Sequence, residues 1–155
     1  MRGRAWSREL LAALLLTGAG AGEFKASCTG CSTSKDRLRC DYYVLGHRDF
    51  NRTEHCLNYA QTVDIDGAYP TAAWYYLLSR QPRSTLRSAA KGISQGQAYA
   101  RTYLILAHWA LGEREEARKE LETLRRETPV LERDLRQDLE RIRPLYPSVK
   151  WEGLF

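Results

Sequence analysis

Four cysteines are the side chains of this chain whose type and spacing could do chemistry. They follow the pattern C-x2-C-x8-C-x15-C near the start of the sequence: Cys28, Cys31, Cys40 and Cys56. In an exported protein an even number of clustered cysteines indicates disulfides, and four cysteines permit three connectivities. One bond closing a loop of roughly 15 to 30 residues could contribute on the order of 3 kcal/mol of stability. We therefore predict that these cysteines form disulfides that cross-link the N-terminal part of the chain.

Zinc binding or thiol-redox chemistry is the alternative for the same four cysteines. The first two have the spacing of one zinc knuckle, whereas the last two are not spaced as a second knuckle. A histidine could replace one ligand, and two are near: His47 and His55. A thioredoxin-type site would need Cys28 and Cys31 at the start of a helix that follows a strand, and no such pattern surrounds them. Haem attachment would need a histidine directly after Cys31, where Ser32 stands.

Catalytic motifs are otherwise absent from the sequence. The three histidines fall in different predicted helices, with no serine or cysteine nucleophile motif beside them, and neither a glycine-rich phosphate loop nor H-E-x-x-H occurs. We therefore expect no enzymatic activity and no cofactor. Asn51-Arg-Thr53 is an N-glycosylation sequon, which would matter only in a eukaryotic source.

The first 21 residues have the pattern of a secretory signal peptide. A basic start is followed by a short apolar run and by Ala19-Gly-Ala21, the small residues that a signal peptidase needs. The apolar run is too short to span a bilayer, so we expect no stable membrane insertion after cleavage. Residues 22–35 then form a tether rich in Gly, Ser, Thr and Cys. The expected location is the periplasm or the extracellular space.

Composition and charge are those of an ordinary globular protein. Hydrophobic residues make up 43% and charged residues 28% of the chain, which excludes wholesale disorder. The net charge is +5, and removal of the signal peptide takes three arginines and one glutamate, which leaves +3. Basic and acidic residues alternate along 113–143, so a basic stripe for nucleic acid is not expected.

Hydrophobic periodicity predicts seven helices after the tether. Their apolar residues recur three or four positions apart, the spacing of one face of an α-helix. Helix 98–111 is apolar around most of its circumference and should be buried on more than one side. The first predicted helix is 36–45, and the second is capped by Asn51 or Thr53. The third begins at Pro70 and ends at Gln81 and Pro82, and the fourth is capped by Ser84. The last three are 98–111, 113–127 and 131–142.

An aromatic pair followed by leucine recurs with a period of 33 residues. The three copies begin at Tyr42, Tyr75 and His108, and each reaches a glycine or serine at the following turn. A period of this length is typical of helical repeat arrays. The alternative is an unrelated helical bundle in which the period arose by chance.

The third copy, residues 98–131, resembles a tetratricopeptide repeat. The matching positions are Leu104, Leu111, Gly112, Ala117, Leu121 and Pro129. Ile105 stands where that family has a small residue and Leu124 where it has alanine, so the hairpin should be wider than usual. A Sel1-type variant of the same hairpin is also conceivable, because 89–92 is followed by Ala98. The two earlier copies match less well, and neither has the closing proline.

The resemblance implies an all-α solenoid of about three helical hairpins over 36–129. Residues 130–155 would then form a capping helix and an apolar tail, which we expect to fold back on the last hairpin. In such arrays the first helices line a concave groove that holds a peptide or protein partner. The residues that would bind the partner are Tyr43, Tyr76, Tyr99, Thr102 and Trp109. The alternative is that these aromatic residues pack in the core, as aromatic residues at helical spacing often do.

Overall fold

A computed structural model describes residues 34–155. The predicted signal peptide and Cys28 and Cys31 lie outside the described residues. Residues 34–155 are all-helical and contain no strand, which confirms the predicted fold class at this level. No helix within 34–155 has the length and apolar character needed to cross a membrane.

Seven helices follow one another, joined by short turns. Residues 34–40 are α-helical and continue directly into a π-helical segment, Asp41–Gly46, and together they form α1. The others are α2 Glu54–Ile65, α3 Tyr69–Leu78, α4 Pro82–Ser94, α5 Ala100–Ala110, α6 Arg114–Glu127 and α7 Leu131–Ile142, followed by a 3₁₀ turn, Arg143–Leu145. All seven predicted helices are therefore confirmed, with ends displaced by a few residues.

The helix ends lie at or near the residues that were predicted to begin or end them, except at the start of α4. Gly112 ends α5 with φ +80°, a left-handed conformation that glycine adopts without steric cost. The predicted cap of α4, Ser84, is wrong, because α4 already begins at Pro82. Proline fits there, since the first turn of a helix does not use its N–H. Arg80, in the turn before α4, has φ +60°, and its guanidinium donates to the carbonyl oxygen of Phe50 at 2.8 Å.

Helices α3 and α5 form the centre of the core. Every residue of 72–78 is buried in α3, and nearly all of α5 is buried. From α2 onward each helix packs against the next one in the chain, and α5 also contacts α3 and α7. The prediction that α5 is covered on more than one side is confirmed. Helices α6 and α7 bury one stripe only and leave their charged faces in solvent.

A disulfide between Cys40 and Cys56 ties α1 to α2, and neither cysteine is exposed. A second tie joins the same helices nearby, because Asp36 Oδ1 lies 3.1 Å from Nδ1 of His55. The disulfide closes a loop that spans 16 residues of sequence. The first helix is thus held by covalent and polar links as well as by its short apolar stripe.

The C-terminal segment, residues 146–155, returns to the helices that precede it. The Tyr146 hydroxyl donates to the Leu77 carbonyl oxygen at 2.7 Å, and the Trp109 indole N–H donates to the Lys150 carbonyl oxygen at 2.7 Å. Trp151 and Leu154 are buried. The tail therefore folds back on the preceding helices α3 and α5.

Candidate functional site

A cleft of about 420 Å³ opens between α1, α2, α3 and the start of α5. Most of its wall comes from α3 and from the start of α5. Its lining residues are Arg37, Tyr59, Pro70, Thr71, Trp74, Tyr75, Tyr99 and Tyr103. Five of these eight side chains are aromatic, and we call this feature the aromatic cleft.

The aromatic rings of the cleft hold one another in place. Tyr59 and Tyr75 meet edge to face, with ring centroids 4.6 Å apart and planes at 85°. Tyr103 contacts both Trp74 and Tyr99, at 5.6 Å and 5.4 Å between centroids. Edge-to-face and tilted contacts at these distances are favourable because the positive ring edge meets a negative ring face. The walls of the cleft are therefore formed before any ligand arrives.

Two tyrosine hydroxyls of the cleft donate to carboxylates. The Tyr75 hydroxyl donates to Asp41 Oδ1 at 2.8 Å, and the Tyr99 hydroxyl donates to Asp138 Oδ2 at 3.4 Å. Burial, followed by these hydrogen bonds and carboxylate charges, raises the pKa of Tyr75 and of Tyr99. The phenols therefore stay neutral at physiological pH. Arg37 acts in the opposite direction on the pKa of Tyr75, and the hydrogen bond with Tyr103 does so on the pKa of Tyr99.

Asp138 is a buried carboxylate in the otherwise apolar stripe of α7. It is 4% exposed and lies between Leu135 and Leu139 on the inner side of that helix. Burial raises the pKa of Asp138 to about 6, although the charge of Arg141 and the hydrogen bond from Tyr99 act in the opposite direction. At neutral pH the group is ionised at a cost in folding free energy, a property that clusters at functional sites.

We expect Asp138→Asn to raise the free energy of unfolding at pH 7.5 by between about 2 and 3 kcal/mol. The folded-state pKa, about 6, lies above the ordinary value of 3.8. The unfolded chain therefore ionises first, and the wild type loses stability as the pH rises from about 4 to 6. The asparagine keeps an oxygen acceptor for Tyr99 and carries no charge.

Urea denaturation of both proteins at pH 3.5 and pH 7.5 measures this effect. The difference between variant and wild type should nearly vanish at pH 3.5, where the carboxyl group is protonated in the folded state and mostly protonated in the unfolded state. Glu140→Gln on the same helix is the matched control, because Glu140 is exposed and its pair with Arg143 should contribute little. A difference of equal size at both pH values would contradict the assignment of a raised pKa to Asp138.

Of the five residues predicted to bind a partner, Tyr99 lines the aromatic cleft. Tyr99 is 36% exposed. Thr102, in the first turn of α5, is fully buried and donates its hydroxyl hydrogen to the Tyr99 carbonyl oxygen at 2.8 Å. Trp109 is 2% exposed and lies under the C-terminal segment. Trp109 also lines a second cleft, of about 390 Å³, between the end of α5 and residues 148–150.

The other two predicted residues lie on different surfaces from the cleft. Tyr43 is half-buried in α1, with the Arg52 guanidinium 3.6 Å from its ring centroid. Tyr76 is buried, and its hydroxyl donates to Asp64 Oδ2 at 3.3 Å. Asp64 also accepts a hydrogen bond from Ser88 Oγ at 2.8 Å, so this carboxylate joins three helices. The contacts of Tyr76 are structural ones.

Four aromatic residues of the cleft were not predicted from the sequence: Tyr59, Trp74, Tyr75 and Tyr103. The 33-residue register selected Tyr76, whereas the cleft uses its neighbour Tyr75. One residue along a helix is a rotation of about 100°, so the two side chains point to different surroundings. The spacing of four residues between Tyr99 and Tyr103 is a signal that could have found the α5 wall, because such residues share one face.

The cysteines that the structure describes are engaged with each other. The Cys40–Cys56 disulfide removes two of the four thiolates that the zinc alternative requires. His55 contacts Asp36, and the ring of His47 lies against Tyr42 at 4.3 Å between centroids. Within 34–155, no three His, Cys, Asp or Glu side chains are grouped so as to hold a metal ion.

No protein-family model, curated protein or solved structure matches this chain. The aromatic cleft is therefore the basis on which a function can be proposed.

Proposed function

We propose that this protein is an exported, tetratricopeptide-like interaction or scaffold module that binds a peptide or protein partner in the aromatic cleft. The observation that carries the proposal is the cleft itself, a preformed space with five aromatic side chains on its walls. Tyrosine and tryptophan give large contact areas at low cost in rotamer entropy, which is why they dominate binding hot spots.

The order and packing of the helices support an array of hairpins. Helices α1–α2, α3–α4 and α5–α6 would be the three hairpins, and α7, apolar on one side only, would be the cap. In such an array the first helices of neighbouring hairpins contact each other, as α3 and α5 do here. Seven of the eight residues that line the cleft lie on α1, α3 or the start of α5. The cleft therefore lies on the surface that first helices would share, as the concave groove of a solenoid does.

Export is supported by the buried disulfide. Bonds of this kind persist in oxidising compartments such as the periplasm or the extracellular space and are rare in the cytosol. The alternative function, a zinc or thiol-redox protein that uses Cys28, Cys31, Cys40 and Cys56, would need the last two as thiolates, which the disulfide opposes. Binding rather than catalysis is the activity that the proposal assigns.

Selection from a displayed random-peptide library tests the proposal. We expect peptides that bind the wild type, and Tyr99→Ala should weaken their binding by about tenfold, the loss of about 1.4 kcal/mol that a central aromatic contact supplies. Tyr42→Ala is the matched control, because Tyr42 is a 57% exposed tyrosine of α1 that does not line the cleft. Circular dichroism confirms that both variants are folded.

The opposite pattern would overturn the proposal. If the selected peptides bind Tyr99→Ala as tightly as the wild type, the aromatic cleft is not their binding site. If the loss appears with Tyr42→Ala instead, the partner binds the outer face of α1.

A further inference from the structure

We infer that the second cleft, beside Trp109, binds an acidic side chain of a protein partner. This inference rests on the proposed function, because the carboxylate belongs to the peptide or protein that the module would bind. The surface is a different one from the aromatic cleft, since it lies at the end of α5 rather than at its start. We call it the Trp109 cleft.

The Trp109 cleft combines an apolar wall with positive charge. Its apolar lining residues are Trp109, Ala110, Leu111 and Val149, and its charged ones are Arg114 and Lys150. The volume of about 390 Å³ is in the lower part of the range of ligand pockets, so the cleft has room for a side chain or two of a partner. Both charged residues are exposed cations, and within 34–155 no acidic residue lines the cleft.

The cations around this cleft have no acidic partner in the described part of the chain. No carboxylate oxygen of residues 34–155 lies within 4.0 Å of the side-chain nitrogens of Arg114, Arg118 or Lys150. The guanidinium carbons of Arg114 and Arg118 lie 5.1 Å and 5.5 Å from the centroid of the Trp109 ring. The ring attracts both groups, but two positive charges beside one ring also repel each other. A bound anion would offset that repulsion.

The acidic residues on the α5 side of α6 are already engaged. Glu120 and Glu127 accept hydrogen bonds from the Arg101 guanidinium at 3.0 Å and 2.9 Å. Glu113, the residue before α6, lies 3.2 Å from Nδ1 of His108. The two arginines beside Trp109 are four residues apart and therefore share one face of α6. The acidic and basic residues of α6 thus lie on different sides of the helix, and the Trp109 cleft is on the basic side.

The other carboxylates that are near in sequence do not line the cleft. Glu115 and Glu116 are turned by about 100° and 200° around α6 from Arg114. Glu122 lines a different cleft, of about 230 Å³. Glu152 lies 3.9 Å from an arginine of the 3₁₀ turn. The charge that a ligand meets in the Trp109 cleft is therefore positive.

A carboxylate next to an aliphatic side chain matches both parts of the cleft. The carboxylate accepts N–H bonds from guanidinium and ammonium groups, and the Ser148 hydroxyl of the lining can donate as well. Ala110, Leu111 and Val149 are half-buried and can cover an aliphatic group of the ligand. The expected ligand is a segment in which an acidic residue follows an aliphatic one.

The test uses two small probes that differ in charge, leucyl-glutamate and leucyl-glutamine, each with an acetylated N-terminus and an amidated C-terminus. Each is titrated at constant ionic strength into the full chain, while the indole N–H resonance of Trp109, which bonds to the Lys150 carbonyl oxygen, is followed by NMR. We expect saturable binding of the glutamate probe and about fivefold weaker binding of the glutamine probe, the difference that one partly exposed ion pair supplies.

Three variants assign the charge effect to the cleft. Arg114→Gln and Lys150→Gln should each weaken binding of the glutamate probe by about threefold to fivefold and leave the glutamine probe nearly unaffected. Lys119→Gln is the matched control, because it removes an exposed cation of the same helix that does not line the cleft. Equal affinity for the two probes would overturn the inference, and so would an equal loss in Lys119→Gln. Tighter binding of inorganic phosphate than of the glutamate probe would overturn the assignment of a carboxylate ligand.

The same measurements separate this inference from the proposed function. If library peptides bind in a manner that depends on Tyr99 and the glutamate probe does not bind, the inference is wrong and the interaction function stands. If the glutamate probe binds in a manner that depends on Arg114 and the library yields no peptide, the carboxylate site stands and peptide binding in the aromatic cleft is wrong.

Discussion

Replacement of Trp109 with alanine should lower the free energy of unfolding by about 3 to 5 kcal/mol, the usual cost of deleting a buried tryptophan side chain. Trp109 is 2% exposed, and its indole N–H donates to the Lys150 carbonyl oxygen at 2.7 Å. Removal of the ring would leave a cavity and an unpaired carbonyl group in the returning C-terminal segment. The loss therefore includes both the buried ring and part of the anchorage of that segment.

The surroundings of Trp109 explain why this single ring has so large an effect. The guanidinium carbons of Arg114 and Arg118 lie 5.1 Å and 5.5 Å from its ring centroid on the α6 side. Gly153 of the C-terminal segment also lies next to the ring, where a Cβ would be 4.0 Å from Cη2, an ordinary van der Waals distance. Trp109 thus connects α5, α6 and the C-terminal segment.

Urea denaturation followed by circular dichroism measures the change. Trp109→Phe keeps most of the apolar volume and should lose about 1 kcal/mol with the hydrogen bond to Lys150, in addition to a smaller packing loss. Phe155→Ala is the surface control, because Phe155 is 39% exposed and the Arg136 guanidinium lies 3.9 Å from its ring centroid. Trp109→Ala with unchanged stability would mean that the ring is open to solvent, and the sequence-based prediction of Trp109 as a groove residue would regain support.

Local signals were enough to predict the helices of this chain. Pro70 lies in the first turn of α3, Gly112 ends α5, and α7 ends at Ile142 before Pro144. Each of these positions depends on the backbone preference of one residue or on an apolar stripe within one helix. The central position of α5 was also predictable, because a helix apolar on all sides must be covered on all sides.

The position of the cleft was not predictable from the same signals. Every residue of 72–78 is buried, so α3 has no polar face in its sequence to show which side lines the cleft. Only the crossing of α3 and α5 decides that Tyr75 and Tyr103 face the same space. Asp138 was missed for the opposite reason. A charged residue in a helix is expected to be exposed, whereas Asp138 is buried beside Tyr99 at the start of α5. The partner of each cysteine likewise depends on tertiary contacts, since four cysteines allow three connectivities.

The double variant Cys40→Ser and Cys56→Ser should lower the free energy of unfolding by about 3 kcal/mol. A disulfide that closes a loop of this length removes about that much conformational free energy from the unfolded chain. Serine is close in size to cysteine, so the buried positions should stay filled. The expected loss is large for α1, whose other links to the fold include the contact between Asp36 and His55 and the hydrogen bond from Tyr75 to Asp41.

Denaturation with and without a reducing agent separates the bond from the substitution. Reduced wild type should be about as stable as the double variant, and reduction should not change the variant at this site. Thiol titration of the native protein, before and after treatment with a zinc chelator, provides the second measurement. If Cys40 and Cys56 react as free thiols only after chelation, the disulfide assignment is wrong and the zinc alternative replaces it.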